Sequence, residues 1–180
     1  MTLHPHLVPL SALLGVWRGP GHGEYPTIDS FDYTEELTFT DVGKPFLAYR
    51  QRTWAPDGRP LHTETGFLRS PGEGRIEIVL AQPTGQTELA EGTLAAHDDG
   101  FEIRLRSRVV NSASAKPVKT TERVYRLSGD VLAVDFAMAA VGLPLTHHLA
   151  ARLERAPAEP WASAAHPHRV SACRTPRGRS

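Results

Sequence analysis

"FEIRLRSRVV", residues 101–110, places Phe101, Ile103 and Leu105 on one side of an extended chain and Glu102 and Arg104 on the other. Successive side chains of a strand point to opposite faces, so a period of two marks a strand with one dry and one wet face. "VLAVDFAMAA", residues 131–140, repeats the pattern, with Leu132, Val134, Phe136 and Met138 sharing a face. On both sides of these segments, "EELTFT", "FLAYRQRTWA", "HTETGFLR", "RIEIVLAQ", "TELAEGTLAAH", "TTERVYRL" and "HHLAARLER" also read as strands. They are divided by "DVGKP", "PDGRP", "SPGEG", "QPTGQ", "HDDG", "VNSASAKP", "LSGD" and "VGLPL". Runs rich in Gly, Pro, Asp, Asn and Ser are what tight antiparallel connections require. An open sheet of so many twisted strands leaves two edges unpaired, and closing it into an up-and-down barrel removes them. The expected fold is therefore all-β.

Ahead of the strands, Leu7, Leu10, Leu13, Leu14 and Trp17 recur at helical spacing, which predicts one short N-terminal helix stopped by Gly15. "GVWRGPGHGEYPTI" then sets Gly15, Gly19, Gly21 and Gly23 around Trp17. It reads as a bend where the backbone can approach another group closely, with Trp17 plugging a barrel end. Beyond Glu154 the chain turns to "RAPAEPWASAAHPHRVSACRTPRGRS", without any period. One domain over residues 7–154 and a disordered tail over 155–180 are expected.

With 180 residues and 40% hydrophobic content the chain can bury a real core. Its 20 basic and 20 acidic residues cancel and form no block, so neither nucleic acid nor an anionic membrane has an electrostatic handle. No apolar run approaches the roughly 20 residues of a membrane helix, and no basic segment precedes the N-terminal apolar positions as in a signal peptide. The only cysteine, Cys173, leaves no disulfide framework and points to a reducing compartment, so a cytoplasmic location is expected.

The chain lacks a Gly-x-Ser-x-Gly elbow, a His-Glu-x-x-His pair, a Cys-x-x-Cys pair, a phosphate loop and a dinucleotide-binding glycine fingerprint. Glu35 and Glu36 are strand neighbours and face apart, which argues against a paired carboxylate site. Imidazole is then the most plausible ligand for a metal or haem. Of nine histidines, His4, His6, His166 and His168 lie in terminal segments, His97 in a turn and His22 in the glycine bend. His62, His147 and His148 remain. Alternation groups His147 with Leu149, Ala151 and Leu153, and His148 with Thr146, Ala150 and Arg152, so periodicity alone favours His147 inside.

"GVWRGPG" followed by "YPTI" resembles the Gly-x-Trp-x-Gly-x-Gly signature of the nitrobindin family. The likeness continues in order through "FDYTEELTF", "VGKPFLAY", "LHTETGFLR", "ERVYRL" and "MAAVGLPLTHHLAARL", over roughly residues 7–154. It implies a ten-stranded antiparallel barrel of the lipid-binding type that holds one haem b per chain. The family's Pro-Leu-x-x-His-Leu block falls on Pro144, Leu145, Thr146, His147, His148 and Leu149, making His148 the axial iron ligand; a kink at "GLP" could reset the face. Met138, His62 and Leu61 fall at pocket positions, and Thr27, Thr38 and Lys119 at the haem edge, where a lysine could pair with a propionate.

The resemblance further implies isomerisation of peroxynitrite to nitrate at ferric haem and nitric oxide binding in the ferrous form. The iron carries the chemistry, and no side chain is expected to act as a catalytic acid or base. The protein would be a monomer or homodimer with small molecules as partners. Two alternatives belong to other classes: a carrier of fatty acid or another apolar ligand, and a nitric oxide sensor or store without turnover.

Overall fold

A computed structural model describes residues 2–157. Ten strands follow a 3-10 helix, Pro5–Leu13. They are β1 (Gly15–Tyr25), β2 (Ile28–Lys44), β3 (Phe46–Trp54), β4 (Pro60–Gly72), β5 (Arg75–Ala81), β6 (Gln86–His97), β7 (Gly100–Asn111), β8 (Val118–Ser128), β9 (Val131–Ala140) and β10 (Thr146–Arg155). Each pairs antiparallel with its sequence neighbour, and β1 also pairs with β10, from Trp17 opposite Arg155 to Gly23 opposite Leu149, closing the barrel. Arg155 belongs to the last strand; of the expected tail, residues 158–180 lie outside the described residues.

The N-terminal helix differs in kind from the expectation. Leu7, Leu10 and Leu13 are spaced by three, and in a 3-10 helix residues at i and i+3 eclipse, so all three point the same way and are at most 1% exposed. Leu14 and Trp17, expected on the same helical face, lie beyond it, and Trp17 is an inward residue of β1. Runs of this helix type are usually short, so its length needs tertiary support. The Trp17 indole Nε1 donates to the Leu13 carbonyl at 2.8 Å, and Arg155 donates to the carbonyls of Leu14 and Ala12, each at 2.9 Å. The Arg155 guanidinium also stacks on the Trp17 ring, 4.2 Å from its centre.

The expected glycine bend is strand. Gly19, Gly21 and Gly23 share the inward parity of Trp17 and Tyr25, and an added Cβ at Gly21 would strike the Tyr33 ring, and at Gly23 the Phe31 ring. The missing side chains let two aromatic rings of β2 lie across β1 inside the barrel. Aliphatic and aromatic residues fill the helix end of the interior, among them Trp17, Leu37, Phe39, Leu47, Ile78, Ile103 and Leu153. The opposite end stays open.

Trp17→Ala removes a fully buried indole that plugs the barrel and anchors the helix. It should lower unfolding free energy by about 3–5 kcal/mol, measured by urea denaturation followed by circular dichroism.

Candidate functional site: a cavity with an imidazole at its mouth

The open end holds a cavity of about 390 Å³. Phe31, Val109, Val118, Val134, Met138 and Leu149 give it apolar walls, and two imidazoles, His62 and His148, reach it. A different population lines its floor, where Glu35, Glu64, Glu88 and Arg123 are each at most 5% exposed.

His148 reaches the cavity through a defect in strand pairing. β10 and β9 are in register at Thr146 opposite Met138 and His147 opposite Ala137, but Leu149, not His148, then faces Phe136. An extra residue in one strand breaks alternation locally. His148 and Leu149, though consecutive, both line the cavity. His147 turns outward, between Glu24 at 3.5 Å and Asp135 at 3.8 Å. Periodicity favoured His147 as the inward residue, and this bulge is the physical reason it did not hold.

The His148 ring is fixed on several sides. Its Nδ1 lies 2.9 Å from the Glu24 carbonyl oxygen of β1, which can only accept, so Nδ1 carries the proton. Nε2 is then left with a free lone pair. The rings of Tyr25, Phe31 and Phe136 stand 5.3, 6.3 and 6.2 Å from the imidazole, centre to centre. The Tyr25 hydroxyl donates to the Met138 carbonyl at 3.2 Å and so ties β1 to β9 next to the ring. Burial holds the His148 pKa below its ordinary value, outweighing the Glu24 carbonyl that favours the charged form. A neutral imidazole with one hydrogen-bonded nitrogen and one free nitrogen is the state a metal ligand needs. Among the described residues no three His, Cys, Asp or Glu side chains converge as a site for a bare metal ion. A single imidazole would suit an iron whose remaining ligands arrive with it, as in haem.

The THAP4-like, heme-binding beta-barrel domain model matches residues 6–155. The chain belongs to this family, the nitrobindins. A protein of Nocardia farcinica named peroxynitrite isomerase is 52% identical over 157 residues, spanning 86% of this chain and 94% of that one. Peroxynitrite isomerase 2 of Mycobacterium marinum is 50% identical over 155 residues, spanning 85% and 96%. The crystal structure of Rv2717c from Mycobacterium tuberculosis superposes with a TM-score of 0.84 at 47% identity, covering 87% of this chain and all of that one.

Against this nitrobindin frame, the structure brings four of the expected site residues together at the cavity: His148, Met138, His62 and Leu61. The other three do not join them. Thr38 lies on the face of β2 opposite Leu37 and Phe39, which are 0% and 2% exposed inside, so alternation sends it outside the barrel. Thr27 is exposed in the turn between β1 and β2. Lys119 is exposed at an irregularity of β8 and faces a separate cleft lined by Arg106, Ala139, Pro144 and Leu145.

Sequence reasoning missed the floor. Glu35 and Glu36 do face apart: Glu36 lies outside with Arg18 and Arg52, whereas Glu35 points in. Glu35 accepts from Gln51 Nε2 at 2.7 Å and from the Tyr33 hydroxyl at 3.4 Å. Glu64 accepts from the Tyr49 hydroxyl at 2.8 Å and from both Arg123 end nitrogens, at 3.3 and 3.1 Å. Glu88 takes Arg123 Nη2 at 2.7 Å, the Thr121 hydroxyl at 2.6 Å and Gln82 Nε2 at 2.5 Å. The signal was present as polar residues at inward positions: Glu35 shares parity with Leu37, Glu64 with Leu68, and Arg123 with Tyr125 and Leu127.

Burial pushes the Glu35 carboxyl from its ordinary 4.5 up to about 7; Glu64 adds to the rise, while Gln51, Arg123 and Tyr33 oppose it. Folding thus favours the protonated form. The associated stability is complete below pH 4.5 and is lost as pH rises through about 7. Wild type should therefore lose about 1–3 kcal/mol relative to Glu35→Gln between pH 5 and pH 8. Urea denaturation of both proteins at each pH measures the difference.

Proposed function

We propose that the cavity binds one haem b through His148 and that the ferric protein isomerises peroxynitrite to nitrate. The observation that carries this reading is the His148 imidazole itself. It lines a cavity with apolar walls, is held in one tautomer by the Glu24 carbonyl and keeps Nε2 free. Family membership and the names of the Nocardia and Mycobacterium relatives support the same conclusion.

Haem, when bound, supplies the metal centre at which the oxygen–oxygen bond of peroxynitrite rearranges to nitrate. The chain's own residues bind and shield. His148 donates its lone pair, and the carbonyl of Glu24 sets the ring direction and strengthens the imidazole as a donor. Tyr25, Phe31 and Phe136 stop the ring from turning, while Val134, Met138 and Leu149 present apolar surface that displaces water. His62, the other cavity imidazole, has Nε2 4.0 Å from Glu64 and is available to hydrogen-bond an anion in the cavity. No side chain has to transfer a proton, because peroxynitrite and nitrate carry the same atoms and charge. In its ferrous form the protein binds nitric oxide, and the working location is the cytoplasm.

Titrating the haem-free protein with hemin should give a saturable Soret band at one haem per chain. His148→Ala should weaken haem affinity by at least about 10-fold, the lower end for loss of metal-site partners; an unchanged Soret titration in the variant would remove His148 from the ligand role. Mixing the ferric protein with peroxynitrite should speed its decay and give nitrate as the product. A bound haem that leaves the decay unchanged would point to storage or sensing of nitric oxide instead.

A further inference from the structure

A ligand carboxylate buried inside a barrel needs a cationic or hydrogen-bonding partner there, and this barrel has an arginine inside. Among the described residues Arg123 is the only Lys or Arg that lines the cavity. Its side chain is 6% exposed. Its two end nitrogens are, however, engaged by the protein, and Nε is buried without a hydrogen-bond partner among the described residues. Both end nitrogens are bonded to Glu64, and Nη2 also to Glu88, whose side chains are 2% and 1% exposed. The guanidinium face is covered as well, with the Phe136 ring centre 4.6 Å from Cζ.

The two carboxylates are themselves anchored. Tyr49 and Gln82 hold Glu64, while Gln82 and Thr121 hold Glu88, and Ser107 Oγ lies 2.7 Å from Thr121 Oγ1. Neither acid can swing aside for an incoming anion without breaking several buried hydrogen bonds. Burial works against the charged form of Glu64, but the Arg123 guanidinium and its hydrogen bonds hold the carboxyl below the ordinary range. One guanidinium thus meets two carboxylates, with Glu35 as a third acid on the same floor.

We propose that Glu64 and Glu88 set the charge selectivity of the cavity: by occupying Arg123 they close its floor to carboxylates, so an elongated apolar occupant enters with a neutral or cationic end innermost. A carboxylate driven onto this floor meets the like charge of two acids that outnumber the single guanidinium, in a water-poor space. An ammonium meets surplus acceptors. The inference concerns the barrel's own charges and stands apart from haem binding, so it is tested on haem-free protein.

The test is displacement of the neutral dye Nile red from haem-free wild type at pH 8 by decanoate and by decylamine, two ten-carbon probes of opposite charge. The amine should bind at least about tenfold tighter, equivalent to about 1.4 kcal/mol. Equal affinities, or tighter decanoate, would overturn the proposal. Glu64→Gln and Glu88→Gln, with folding checked by circular dichroism, should each shift the ratio of the two affinities at least about tenfold towards decanoate. Folded variants that keep the wild-type ratio would also overturn it. Should either variant fail to fold, the wild-type comparison still decides, because it needs no substitution. Hemin uptake is a separate readout, so failure of the haem reading and failure of this one are told apart.

Discussion

A guanidinium shut inside a barrel cannot be left alone, and the middle of this molecule is organised around that requirement. Removing one partner of a buried ion pair typically costs about 3–5 kcal/mol, because the remaining charge has nowhere to go. Arg123 on β8 is therefore met by Glu64 on β4 and Glu88 on β6, across the barrel interior. Tyr49 on β3 and Thr121 on β8 complete the shells of the two acids. The resulting polar layer divides the interior. Towards the helix lies a packed core of Leu, Ile, Phe and Trp; towards the mouth lies the cavity. Two different solvents, in effect, are kept apart by one cross-braced layer.

Above that layer, the mouth is shaped by departures from regular structure. The glycines of β1 admit the rings of Tyr33 and Phe31. The bulge in β10 turns two consecutive residues inward and so adds an imidazole without giving up the apolar contact of Leu149. The Phe136 ring stands between the two halves of the site, with Arg123 stacked on it and the His148 ring 6.2 Å away. The charged floor and the imidazole are thus mechanically adjacent although they share no hydrogen bond among those described.

Much of the architecture could be read from residue order alone, because a barrel wall has one dry face and its strands must alternate. Phe101, Ile103 and Leu105 sit inside as their period demands, and so do Leu132, Val134, Phe136 and Met138. Periodicity failed where the chain departs from it. Three residues of Leu spacing fit an α-helix and a 3-10 helix equally well, and only packing shows which forms. Inward glycines have no hydropathy signal, so β1 looked like a bend. His148 was legible through family likeness and not through alternation, since a bulge is a property of two paired strands. Thr27, Thr38 and Lys119 lie away from the cavity lining, and a motif position carries no direction for its side chain.

His148 and the Glu24 carbonyl are 124 positions apart, and they meet only because the first strand pairs with the last. Contacts of such long sequence separation form late and slowly. A growing chain can assemble β2 to β9 from neighbouring hairpins, but the His148 imidazole acquires its orientation only when the final strand has docked. The cavity is thereby completed last in maturation, and a chain shortened before β10 would lose the closing strand together with the His148 and Leu149 side chains that line the cavity.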